Sequence, residues 1–146
     1  MIKKLINWFK STPEEISFQQ AFDLSDLPVI TFRQGDTKCN FLLDTGSSDN
    51  IIDSNYLNIL KYDMYDGSGN LTGMDGIKHK VSACDITFSY KDLEYTYLYL
   101  IKDMHDAFSY IKQETGVTLH GIIGTKFFTK YKYVLDFDRL IAYSKA

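Results

Sequence analysis

The chain has 146 residues, 45% of them hydrophobic and 24% charged, with a net charge of −3. That length suffices for one domain with its own core, and the acidic balance excludes the basic footprint of a nucleic-acid binder. No window reaches the apolar length of a membrane span, and two cysteines, Cys39 and Cys84, are too few for a disulfide framework; free buried thiols and a cytoplasmic setting are expected.

Residues 1–15 read as an N-terminal extension. The apolar run Leu5 to Phe9 is broken by Asn7 and ends at Lys10, too short for a signal-peptide core. Ile2, Leu5, Ile6 and Phe9 fit one side of a short amphipathic helix, packing on its own domain or a partner subunit. Pro13 and Glu14-Glu15 then separate this segment from a single domain, residues 16–146.

In that body "ISFQQAFDL" and "PVITFRQ" read as strands, and Gly35-Asp36 turns the second into the returning strand "CNFLLD". A short strand follows at Asn50 to Asp53, and Asp53 or Ser54 is placed to cap a helical turn through "NYLNIL". Tyr65 to Gly76 holds four of the nine glycines and too little apolar surface for a core segment, so it reads as a hairpin tip or loop. "IKHKVSACDITFSY" and "LEYTYLYLI" are two long strands. In the second, Leu93, Tyr95, Tyr97 and Tyr99 share one face and Thr96, Leu98 and Leu100 the other, which predicts burial on both sides. Asp103 to Gly116 has an acidic start, Met104, Phe108 and Ile111 at helical spacing and a terminal glycine, so it reads as a helix. The tail reads as a strand at "GII", a short helix from Thr125 and a hairpin of "YVLDF" and "LIAY". The aromatic content of 15% fits the resulting class, mainly β with two or three short helices.

The segment "NFLLDTGSSDNIID" carries the chemistry. Leu42 and Leu43 bring the chain out of the core, so Asp44 falls at the edge of low dielectric, where a carboxylate's charged form is disfavoured. Gly46 lets another chain approach the backbone, and Thr45 and Ser47 supply hydroxyls to hold the turn. An Asp-X-Gly tripeptide is by itself also an ordinary turn.

Taken with its neighbours, the motif resembles the aspartic proteases, in particular the single-domain retropepsin-like group. "FLLDTGSS" matches the catalytic loop, Tyr65 to Gly73 falls where the flap belongs, and Ile122-Ile123-Gly124 opens a helix before a closing hairpin. The resemblance covers Val29 to Tyr143. It implies a closed antiparallel β barrel and catalysis by Asp44, Thr45 and Gly46. Substrate would be bound by Ser47, Ser48, Tyr65, Asp66, Gly67, Ser68, Gly69, Ile122 and Ile123. No metal or cofactor is implied. Two-lobed members carry two Asp-Thr/Ser-Gly motifs; this chain has one, and Asp136 has no Thr/Ser-Gly behind it. The second carboxylate is therefore expected from Asp44 of a second copy, in a homodimer acting on a peptide or protein. The 80 residues from Asp44 to Gly124 are more than the compact viral enzymes have, with the helix near Asp103 to Gly116 as the insertion. The N-terminal extension argues against the viral dimerisation through interleaved chain ends. A catalytically silent peptide-binding or scaffolding module is the alternative reading.

Other features read as structural. His79, His105 and His120 lack metal-ligand spacing, and the "GSG" at Gly67 to Gly69 lacks the Lys-Ser/Thr of a phosphate loop. The Tyr95, Tyr97, Tyr99 stripe suits core packing better than base stacking. Asn70-Leu71-Thr72 fits a glycosylation acceptor in three letters only.

Overall fold

The computed structural model describes residues 15–67, 69–72 and 76–146. The expected helix carrying Ile2, Leu5, Ile6 and Phe9 and the flap residues Ser68 and Gly73 lie outside the described residues. The first described element corrects the strand expected at "ISFQQAFDL": Phe18–Ser25 is an α-helix, α1. Its cause is a capping box. Ser17 Oγ accepts from Gln20 N at 3.1 Å and Gln20 Oε1 accepts from Ser17 N at 2.9 Å, which satisfies helix-start donors that alternation ignores. Phe18, Ala21 and Phe22 then form an inward face at helical spacing.

The strands are β1 (Val29–Gln34), β2 (Thr37–Leu43), β3 (Asn50–Asp53), β4 (Asp63–Met64), β5 (Gly69–Thr72), β6 (Lys78–Val81), β7 (Ala83–Tyr90), β8 (Leu93–Lys102), β9 (Gly121–Ile123), β10 (Tyr133–Asp136) and β11 (Ile141–Ser144). Between them lie a 3-10 helix, Ser54–Ile59, and the α-helices α2 (His105–Thr115) and α3 (Thr125–Lys130). Asp53 caps the 3-10 helix, and Gly116, at φ 79°, ends α2 in the left-handed conformation that glycine adopts without a Cβ penalty.

The main sheet runs β1-β2-β9-β3-β8-β7, and β1 returns to pair with β7 at Arg33 and Ser89. That contact closes six strands into a barrel, with β4 appended to β7. The mainly β barrel expected from the sequence is present, but it is mixed. β2–β9 and β3–β8 are parallel pairs, because long connections bring the later strands back in the same direction.

Aromatic rings fill the barrel. Phe41 lies 5.3 Å from Phe32, 5.2 Å from Phe88 and 5.8 Å from Tyr99, centroid to centroid, and all four are buried. Each such side chain contributes on the order of 2–3 kcal/mol of burial, which makes disulfides unnecessary; Cys39 and Cys84 are free and buried. Thr31 and Asn40, buried opposite each other on β1 and β2, satisfy one another through Thr31 Oγ1 to Asn40 Oδ1 at 2.7 Å. Two-sided burial of β8 holds at Tyr99 and Leu100 but not at Leu93 or Thr96, where the strand runs out toward solvent.

Candidate active site

Asp44 sits where β2 leaves the sheet. β9 is inserted between β2 and β3, so the two strands flanking the Asp44 loop are held apart by Gly121–Ile123. Leu42 and Leu43 pair in parallel with Ile122 and Ile123, and the ladder's last bond is Asp44 N donating to Ile123 O at 2.9 Å. The backbone then turns: Ser47 N donates to Asp44 O at 3.1 Å, and Gly46 N donates to Asp44 Oδ1 at 2.8 Å. The carboxylate is thus fixed by its own loop and remains half-buried, while Thr45, Gly46 and Ser48 are exposed.

The loop is clamped from the far side by the start of α3. A helix leaves its first N–H groups without intrahelical partners. Here Gly124 N donates to Asn50 Oδ1 at 2.9 Å, Thr125 N to Ser47 O at 2.8 Å and Lys126 N to Ser48 O at 3.1 Å. Gly124 is required by space. A Cβ there would lie 2.6 Å from Asp49 O and 2.7 Å from Ser47 O, closer than any side chain is tolerated. Lys126 Nζ adds an ion pair to Asp49 at 2.9 Å, which raises the lysine's proton affinity.

The sequence-derived residues fall into three groups. Asp44 through Ser48 share one loop beside Ile122 and Ile123. Ile123 is fully buried and Ile122 nearly so, at 8% exposure. Both side chains are packed in the core of the chain, and the strand they form lies beside the loop. The third group, Tyr65, Asp66 and Gly67, is exposed, with Tyr65 N anchored to Ala83 O at 2.9 Å. Gly69 begins β5, which pairs with β6 from Gly69↔Val81 to Thr72↔Lys78. The glycine-rich segment therefore supplies one strand of an antiparallel pair. Among the described residues no hydrogen bond joins this pair to the Asp44 loop.

Asn50 and Lys126 escaped the sequence reading because their partners lie 74 and 77 residues away in the chain. Asn50 is 1% exposed, and its Nδ2 is a buried polar atom without a hydrogen bond of ordinary geometry, although the buried Tyr99 hydroxyl is close enough to feel it. His120 takes a packing role: its ring lies 4.4 Å from Tyr56, and Nδ1 accepts from Asn40 N at 2.9 Å. No group of three or more metal-ligating side chains occurs among the described residues, and none of their helices is long and apolar enough to cross a membrane.

No protein-family model matches the chain, and no curated protein sequence does. Among solved structures, EIAV protease complexed with the inhibitor HBY-793 is similar at 20% identity, with a TM-score of 0.50 over 71% of this chain and 86% of that one. The chain has a fold similar to that of a retroviral protease.

Proposed function

We propose that this chain is an aspartic-type endopeptidase of the retropepsin-like kind, with residues 16–146 as its single domain and a homodimer as its active form. The observation that carries the reading is Asp44, half-buried on an exposed loop that β9 and α3 fix from two sides, in a fold shared with a retroviral protease. Hydrolysis needs a base for water and an acid for the carbonyl at the same moment, and one carboxylate cannot be both. Two Asp44 side chains across a two-fold axis share one proton, because two adjacent carboxylates do not both ionise. The ionised member takes a proton from the water between them, which attacks the scissile carbonyl. The protonated member donates a hydrogen bond to the carbonyl oxygen, and the leaving nitrogen is protonated as the tetrahedral intermediate collapses. Thr45 and Gly46 are the exposed backbone and hydroxyl surface at which the second loop meets the first. Ser48, Tyr65, Asp66 and the β5–β6 pair border an extended peptide bound strand-fashion.

The test is a tandem chain in which two copies are covalently joined. Asp44→Asn in one half removes nearly all turnover of a peptide library while circular dichroism stays unchanged, because the amide is nearly isosteric but not a base. The unlinked protein loses specific activity on dilution as the dimer dissociates. Full activity from the half-substituted tandem chain overturns the shared-carboxylate mechanism.

A further inference from the structure

Away from the Asp44 loop, α2, the 3-10 helix and the segment before β9 enclose a pocket of about 420 Å³. Its walls combine two apolar side chains, Phe108 and Leu119, with the Tyr56 ring, and Ser109 and Thr118 supply hydroxyls. Asn55, His105, Lys112 and Gln113 add polar groups, and the buried acid among them is Asp53, which lines the pocket although only 2% of the residue is exposed. Three donors reach this carboxylate, and all three converge on one oxygen. Asn55 N lies 3.2 Å, Asn55 Nδ2 2.7 Å and Met104 N 3.1 Å from Oδ1. None of them carries a charge.

Buried carboxylates in folded proteins are paired with a cation or a metal, because desolvating an isolated charge is costly. Among the described residues no lysine or arginine forms an ion pair with Asp53. Of the two basic side chains on the pocket wall, Lys112 directs Nζ to Gly116 O at 3.0 Å, and His105 places Nδ1 3.5 Å from Ser109 Oγ. His120, which also feels Asp53, is held neutral by burial down to about pH 4. The site thus has an acceptor oxygen, an apolar floor and volume for a small molecule, the composition of a ligand pocket rather than of a packing defect.

We propose that this pocket binds a small ligand with a protonated amine or guanidinium on a compact apolar body, the cation against Asp53 Oδ2 and the body against Phe108 and Leu119. The group that fills it is a free amine or a basic side chain of a peptide; both present the same chemistry. The site is independent of Asp44.

Benzylamine is the probe for the free amine, benzyl alcohol its uncharged counterpart, and a short blocked peptide bearing one arginine the probe for the side chain. Titration of the full chain, followed by amide chemical shifts, gives saturable changes at Asn55, Met104 and Ser109 with benzylamine or the peptide and none with benzyl alcohol. Whichever cationic probe binds more tightly identifies the source. Asp53→Asn retains the shape and the Oδ1 acceptor and weakens binding at least about tenfold, the size expected when an ion pair of modest strength is removed. Ser109→Trp fills the pocket without touching Asp53's donors and abolishes binding, so the idea stays testable if Asp53→Asn fails to fold. Equal binding of benzylamine and benzyl alcohol, shifts confined to other surfaces, or undiminished binding by Ser109→Trp would each overturn it.

Discussion

His120→Gln tests how the core tolerates a histidine immediately before β9, beside Asn40 of β2. His120 Nδ1 accepts from Asn40 N on β2, its ring packs on Tyr56, and burial lowers its pKa from 6.5 to about 4. The nearby Asp53 carboxylate opposes that shift without cancelling it. Above pH 6.5 the imidazole is neutral in both the folded and the unfolded chain, so the contribution to stability is flat. Below 6.5 the unfolded chain takes up a proton that the folded chain refuses, and stability falls until about pH 4, where the folded protein binds it too. The gap between 6.5 and about 4 amounts to about 3 kcal/mol, a large part of a small domain's margin. A glutamine offers an amide oxygen to Asn40 N but does not titrate. Urea unfolding from pH about 7.5 to about 4.5 reads the effect, the linear slope converting midpoints to free energies. The substituted chain is less stable at neutral pH, having lost the ring, but its curve declines less toward acid than the parent's. Parallel curves for the two proteins would refute the assignment of a buried, neutral His120.

Gly124→Ala forces a methyl against the carbonyls of Ser47 and Asp49, so it costs about 3 kcal/mol of stability and reduces any Asp44-dependent hydrolysis. Gly35→Ala is its control, with φ at 59° and open space around it, costing about 1 kcal/mol by thermal unfolding and sparing activity. Ser17→Ala removes the α1 cap and costs about 1 kcal/mol, read as a lower melting temperature. Cys39 and Cys84, with thiol pKa values pushed by burial to about 12 and about 11, resist iodoacetamide at pH 8 in the folded protein and react once urea unfolds it, as mass spectrometry would show.

Much of this molecule is written in local pattern. The β-branched and aromatic run "VITFRQ", the Gly35-Asp36 turn and the returning "CNFLLD" specify a hairpin, because a tight turn between two strand-forming runs pairs them whatever else the chain does. The helix at His105–Thr115 was legible from its glycine stop and apolar spacing, and the Asp44 turn from the residues around it. The capping box at Ser17 and Gln20 was equally local; apolar Ile16 and Phe18 two residues apart imitate a strand and hide it. Tertiary structure alone decided that β9 enters between β2 and β3, that two pairings are parallel, and that the barrel closes through Arg33 and Ser89. It also decided that Ile122 and Ile123 face the core and that α3 donates its free N–H groups to Ser47 and Ser48. Side-chain periodicity is set by bonds to neighbouring residues, so any window of sequence displays it. Strand order and the clamp on Asp44 depend on which distant surfaces bury together and whose donors find acceptors, and that is settled only when the whole chain has packed.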